Sequence, residues 1–118
     1  MIRISVESNT AQGVGGGLYN QGFLSATDTF FINNRSEDDG GGIYISPTGQ
    51  ARLEDSLLSL NEAADDGGAI FNLGNLFTLD SSFIDNLADN TGGAIFTGPE
   101  AITTIGLDNF FSENLPSS

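Results

Sequence analysis

Apolar residues in this chain come in short bursts bounded by Gly, Asn and Asp, and no burst carries the three-to-four-residue spacing of an amphipathic helix. The bursts are rich in β-branched and aromatic residues, a pattern that predicts short strands joined by turns. They also recur. A phrase of two glycines, a small residue, an aliphatic and an aromatic appears as Gly15-Gly16-Gly17-Leu18-Tyr19 and Gly40-Gly41-Gly42-Ile43-Tyr44. It returns as Gly67-Gly68-Ala69-Ile70-Phe71 and Gly92-Gly93-Ala94-Ile95-Phe96, at intervals of 25, 27 and 25 residues.

Further columns align on this phrase. Asparagine stands before each copy, as Asn9, Asn34, Asn61 and Asn86, and Asn114 opens a fifth copy. A large apolar residue lies three positions ahead of each asparagine: Val6, Phe31, Leu58, Phe83 and Phe111. A small residue lies two positions after it in Ala11, Ser36, Ala63 and Ala88. Asp28, Asp55, Asp80 and Asp108 precede the apolar position by three, and Arg3 takes that place in the first copy. Length varies only between the aromatic and the aspartate, which lie 9, 11, 9 and 12 positions apart, and this interval is expected to be a surface loop.

A period near 25 built from strands and turns fits a parallel β-solenoid, in which each coil pairs with the coils above and below. The expected fold is therefore an all-β parallel β-helix of about four coils of 25–28 residues plus a partial fifth. It forms one repeat domain over 1–118, a segment of a longer repeat protein. In such a stack the Val6/Phe31/Leu58/Phe83/Phe111 and Leu18/Ile43/Ile70/Ile95 columns should point inward. The asparagines should form a ladder of side-chain amides at a turn.

The GGAIF phrase and the FxxN phrase ("FINN", "FIDN", "FSEN") resemble the repeats of polymorphic membrane proteins and related bacterial surface proteins. The resemblance spans nearly the whole chain and implies a right-handed parallel β-helix of the pectin-lyase-like type. It also implies an extracellular or outer-cell-surface location, as part of an exported passenger. The chain has Asp where the family commonly has Asn or Ser. No signal peptide is evident in "MIRISVESNTAQ", which adds to the expectation of a longer protein.

Composition narrows the function. Sixteen acids against three arginines, with no lysine or histidine, give a net charge of -13. That charge speaks against nucleic acid and against docking on an anionic membrane. The chain has no cysteine, hence no disulfide and no thiolate metal site, and no stretch is long and apolar enough to insert in a membrane. Catalysis finds no foothold: there is no histidine for a triad, and no spacing singles out a carboxylate pair for glycoside hydrolysis. Arg3, Arg35 and Arg52 are the only bases a lyase could use. Arg35 (near Glu37 and Asp38) and Arg52 (near Glu54 and Asp55) are expected to pair with these neighbouring acids.

The expected function is a non-catalytic scaffold for adhesion or ligand binding, with a fragment of a carbohydrate-active β-helix lyase or hydrolase as the alternative. The partner would be a carbohydrate or a surface protein, and the uncapped ends would allow self-association. Three features are candidate sites. Tyr19, Tyr44, Phe71 and Phe96 follow an inward aliphatic by one residue. Either they face outward as an aromatic stripe, or local bends turn them partly inward. The acids before the glycines, Asp38/Asp39, Asp65/Asp66 and Asp89, are either solvated turn residues or oxygen ligands for Ca²⁺. No cofactor other than Ca²⁺ suggests itself. Asp28, Asp55, Asp80 and Asp108 would repel one another along the axis unless backbone N–H groups or a ladder of cations offset the charge.

Overall fold

A computed structural model describes residues 4–116. The first coil contains β1 (Ile4–Glu7), β2 (Thr10–Ala11), β3 (Leu18–Asn20) and β4 (Phe23–Thr27). The second contains β5 (Thr29–Ile32), β6 (Arg35–Ser36), β7 (Ile43–Ile45) and β8 (Gln50–Glu54). The third contains β9 (Leu57–Ser59), β10 (Glu62–Ala63), β11 (Ile70–Asn72) and β12 (Asn75–Leu79). The fourth contains β13 (Ser82–Ile84), β14 (Leu87–Ala88), β15 (Ile95–Thr97) and β16 (Ile102–Ile105), and β17 (Phe110–Ser112) begins a fifth. Every strand pairs in parallel with its counterpart in the adjacent coil, which makes four sheets. The first sheet runs β1-β5-β9-β13-β17, and the second, third and fourth stack their four strands in the same way. The molecule is a parallel β-solenoid of about four turns.

The registers place like residues over like. Val6 pairs with Phe31, Phe31 with Leu58, Leu58 with Phe83, and Phe83 with Phe111. Phe31, Leu58 and Phe83 are buried, as are Ile43 and Ile70 from the aliphatic column. Phe111 departs from the expected burial: it is 42% exposed, because no coil covers it, and only Phe83 stacks on its ring at 4.7 Å.

The asparagine ladder is complete at every described rung. Asn61 Nδ2 donates to Phe31 O (2.8 Å) and to Asn86 Oδ1 (3.0 Å). Its Oδ1 accepts from both the Asn34 N–H and the Asn34 Nδ2–H, each at 3.0 Å. Asn86 and Asn34 repeat the arrangement, and Asn114 donates to Phe83 O. Both donors and both acceptor sites of Asn34, Asn61 and Asn86 are used, which is why these three amides can lie in the interior without the cost of an unmet hydrogen bond; Asn114, at the last rung, uses one donor and both acceptor sites.

Each coil turns at three corners held by a residue with positive φ. One corner takes Gly15, Gly40, Gly67 and Gly92, with φ of 67–72°. The glycine after each of these lies against the next coil, so that a Cβ at Gly41 would collide with the Gly68 carbonyl oxygen. A second corner takes Ser8, Asn33, Leu60, Asp85 and Glu113. The third takes Asp28, Asp55, Asp80 and Asp108, with φ of 54°, 50°, 49° and 58°.

The aspartate column therefore has a conformational cause. Asp is among the few residues that enter this region at low cost. Among the described residues no backbone N–H donates to these carboxylates, in contrast to the expected turn bonds. The bonds at this corner belong to the following residue. The Thr29 N–H donates to Ser56 Oγ, the Ser56 N–H to Ser81 Oγ, and the Ser81 N–H to Asn109 Oδ1. These side chains form a second polar ladder.

The interval expected to be a loop contains the fourth sheet. Its inward positions, among them Ala26, Ala51, Leu53 and Leu76, join the core. The length variation lies in the turns on either side. Two residues precede β4 and β12, whereas four precede β8 (46–49) and β16 (98–101), carrying Pro47 and Pro99. A further four residues, 106–109, separate β16 from β17. Arg3, in the aspartate place of the first copy, lies outside the described residues.

Candidate functional site

With the interior filled by matched columns, the chemistry of the molecule lies on its outer faces. On the third sheet Ile43 and Ile45 are fully buried on either side of the half-buried Tyr44. Tyr19, Tyr44, Phe71 and Phe96 thus stand on the outer face, in register from coil to coil. Their rings stack with centroids 5.1, 5.2 and 4.7 Å apart and planes within 11° of parallel. The ring faces cover one another, and Phe71 is only 8% exposed although it lies outside the core. What the stack presents to solvent is a row of ring edges, with the Tyr19 and Tyr44 hydroxyls at one end.

An acidic corner runs beside this stack. Asp38, Asp39 and Asp65 bring carboxylate oxygens within 4.8 Å of one another. Asp39 Oδ1 accepts from the Asp66 N–H (3.0 Å), and Asp66 Oδ1 accepts from the Thr91 N–H (2.9 Å). Asp89 stands outside this row, one position earlier in its coil; Asn90 and Thr91 occupy the places of Asp65 and Asp66 there. Burial raises the Asp39 carboxyl above the ordinary range. The Asp66 N–H opposes this, and the charges of Asp38, Asp65 and Asp66 reinforce it. The Tyr44 phenol is also raised, by burial first and then by Tyr19, Asp39 and Asp38, which ties the aromatic stack electrostatically to the acids.

The column Asp28/Asp55/Asp80/Asp108 strings its carboxylates along the axis at the opposite end of the fourth sheet. Asp80 is raised by loss of hydration and then by the charges of Asp108 and Asp55. Of the two acid sets, the Asp38/Asp39/Asp65 corner is the one that converges as a cation site would require.

The described arginines pair with acids. Arg35 Nε donates to Glu62 of the next coil at 2.7 Å and its Nη1 lies 3.8 Å from Glu37. Asp38, the other expected partner of Arg35, is replaced by Glu62 because parallel stacking sets β6 directly against β10. Arg52 lies 3.8 Å from Glu54, and its guanidinium sits 4.7 Å over the Phe77 ring.

Sequence reasoning missed the outer face of the fourth sheet. Its registers set Phe23, Gln50, Asn75 and Ile102 in one row and Ser25, Arg52, Phe77 and Thr104 in the next. A shallow recess of about 360 Å³ lies over these rows. The signal was the alternation in "QARLE" and "NLFTL", whose first and third residues face solvent.

The fold and its surfaces define a parallel β-solenoid repeat protein whose exterior, rather than any enclosed pocket, carries its chemistry. The sequence profile of the Chlamydia polymorphic membrane protein repeat matches residues 3–21, 28–46 and 80–98, three of the four coils in phase with the structure. Three coils of the chain thus carry the polymorphic-membrane-protein repeat. This is a family of bacterial surface proteins and is not known for enzymatic activity. No curated protein and no solved structure matches the chain significantly. Among the described residues no helix is long and apolar enough to cross a membrane.

Proposed function

We propose that this chain is a non-catalytic binding scaffold displayed at the outer cell surface. The observation that carries the reading is the unbroken aromatic stack of Tyr19, Tyr44, Phe71 and Phe96, held rigid beside the acidic corner. Stacked rings consume one another's faces, so a sugar ring has no face to lie on within the stripe. A protein surface can instead meet the ring edges and tyrosine hydroxyls, with basic side chains reaching the neighbouring acids. The repeat family supports the location and the absence of catalysis. Both described arginines are engaged by carboxylates, which leaves neither as a free base for polysaccharide elimination.

Microspheres coated with the protein should be retained on epithelial monolayers above the level of microspheres coated with an unrelated acidic protein. Tyr19→Ala should reduce retention, since Tyr19 is 47% exposed and ends the stack. Retention no greater than the control, or equal retention by the variant, would contradict the assignment.

A further inference from the structure

We propose that the outer face of the fourth sheet is a second binding site, and that its ligand is a short neutral glycan. The proposal rests on the reading of the chain as a non-catalytic surface scaffold and adds to it a ligand class and a place.

The floor of the site is rigid. It consists of β4, β8, β12 and β16, hydrogen-bonded in parallel from coil to coil. Phe23 stands on it 71% exposed, an aromatic ring whose face is not used up by stacking, unlike those of the third sheet. Gln50 and Asn75 follow Phe23 in the same row, in successive coils about 4.8 Å apart. Their side-chain amides are exposed and have no partner within the protein among the described residues. The Thr104 hydroxyl in the adjoining row is likewise free. Arg52 is held in place by Phe77 beneath it and Glu54 beside it.

This pattern selects a chemistry. An amide side chain offers both donors and an acceptor, and two of them spaced by one coil match vicinal hydroxyls, each of which both donates and accepts. An aromatic face beside them suits the C–H face of a pyranose ring. A largely apolar protein partner would bury Gln50, Asn75 and Thr104 without hydrogen bonds, at a cost for each. An acidic glycan is disfavoured because Glu54 shares the charge of Arg52 and the whole chain carries -13. The Pro47 and Pro99 loops precede β8 and β16, so the two insertions rim this same face. Loops that vary in length beside a fixed floor are where binding specificity is commonly set.

The test is a printed array of neutral, sialylated and uronate-bearing glycans probed with the fluorescently tagged chain. Wild type should bind neutral members. Phe23→Ala and the double variant Gln50→Ala/Asn75→Ala should each lose about tenfold or more in signal. All three altered side chains are exposed, and unchanged circular dichroism would verify that the variants fold. Tyr19→Ala, on the third sheet, should bind the array as wild type does. The proposal is overturned by silence of wild type on the array, by binding confined to acidic glycans, or by neutral binding that survives both variants. Microsphere retention on cells that persists alongside array silence would sink the glycan site and leave the scaffold standing. Loss of retention alone would sink the scaffold reading and leave the site.

Discussion

Replacing Asn61 by alanine tests the ladder at its most enclosed rung. The side chain is fully buried and takes part in four side-chain hydrogen bonds. Its removal leaves the Phe31 carbonyl without its amide donor and leaves the Asn34 N–H and one Asn34 Nδ2–H without acceptors. Asn86 Oδ1 keeps one of its two donors, the Asn61 N–H. The Phe31 carbonyl keeps its place in the parallel ladder, so two donors are orphaned; at about 1–3 kcal/mol each they give about 2–6 kcal/mol, and entry of water into the space left by the side chain argues for the lower half, about 2–4 kcal/mol. That is a large share of the whole stability of a small domain, about 5–15 kcal/mol. Asn9→Ala supplies the internal control. Asn9 is exposed at the first rung, its side chain donates only to Asn34 Oδ1, and its loss should cost about 1 kcal/mol or less. Urea titrations followed by circular dichroism measure both. Equal midpoints for the two variants would refute the claim that buried amide pairing, rather than apolar packing alone, holds successive coils together.

Phe83→Ala should cost about 3–5 kcal/mol in the same titration and Phe111→Ala far less, because Phe83 is covered by coils on both sides and Phe111 on one; similar costs would mean that a cap over the last coil has been overlooked. Asp39 and Asp80 have raised carboxyl pKa values, so the folded protein holds their protons more tightly than the unfolded chain does. Their contribution to stability is present below the ordinary carboxylate pKa and is lost as pH rises through the raised values, so the melting temperature should increase on acidification into that window. Asp80→Asn keeps a residue suited to positive φ and should raise the melting temperature at neutral pH, with a gain that shrinks on acidification; a loss at neutral pH would indicate a bound cation or an unrecognised donor. Millimolar Ca²⁺ at fixed high ionic strength should raise the melting temperature only if Asp38, Asp39 and Asp65 act together, and Asp39→Asn should abolish the rise; a response abolished by Asp55→Asn instead would restore the axial aspartates as the ligands. Exposed Ile4 and Phe23 in the first coil and Phe110, Phe111 and Leu115 in the last predict association that grows with concentration in light scattering, and a strict monomer at all concentrations would refute open ends.

What repeats from coil to coil was legible in the sequence, the outer aromatic column included, and what varies was not, for a physical reason. A residue stacked between coils meets the same residue type above and below, so Phe31, Phe83 and the asparagines repeat and can be aligned by eye. The Gly15/Gly40/Gly67/Gly92 corner repeats because its φ admits little else. The second positive-φ corner, by contrast, uses Ser8, Asn33, Leu60, Asp85 and Glu113, which share a backbone conformation and no side-chain type. No alignment of residues could reveal it. The fourth sheet was hidden because its inward positions are small or polar in several coils. Ala26, Ala51 and Thr78 stand there where a continuous aliphatic row would have announced a strand. The aspartates were aligned correctly but read electrostatically, when a left-handed turn is the simpler selector.

The same reasoning locates function. The asparagine column and the two apolar columns of the first and third sheets repeat, since a coil that departs there leaves a cavity or an unpaired amide in two neighbours at once; other inward positions vary, as at Ala26, Leu53 and Thr78. Outward positions carry no such obligation. The third-sheet exterior nevertheless repeats, as four stacked rings, so its regularity has a structural use in holding coils together as well as any use in recognition. The fourth-sheet exterior keeps no single residue type: Phe23, Gln50, Asn75 and Ile102 share a register and, the two amides apart, no chemistry. Stacking cannot account for that choice of residues. In a solenoid whose fold is written in what its coils have in common, a ligand-specific surface is to be sought where the coils differ, and the two proline-bearing insertions border that same face.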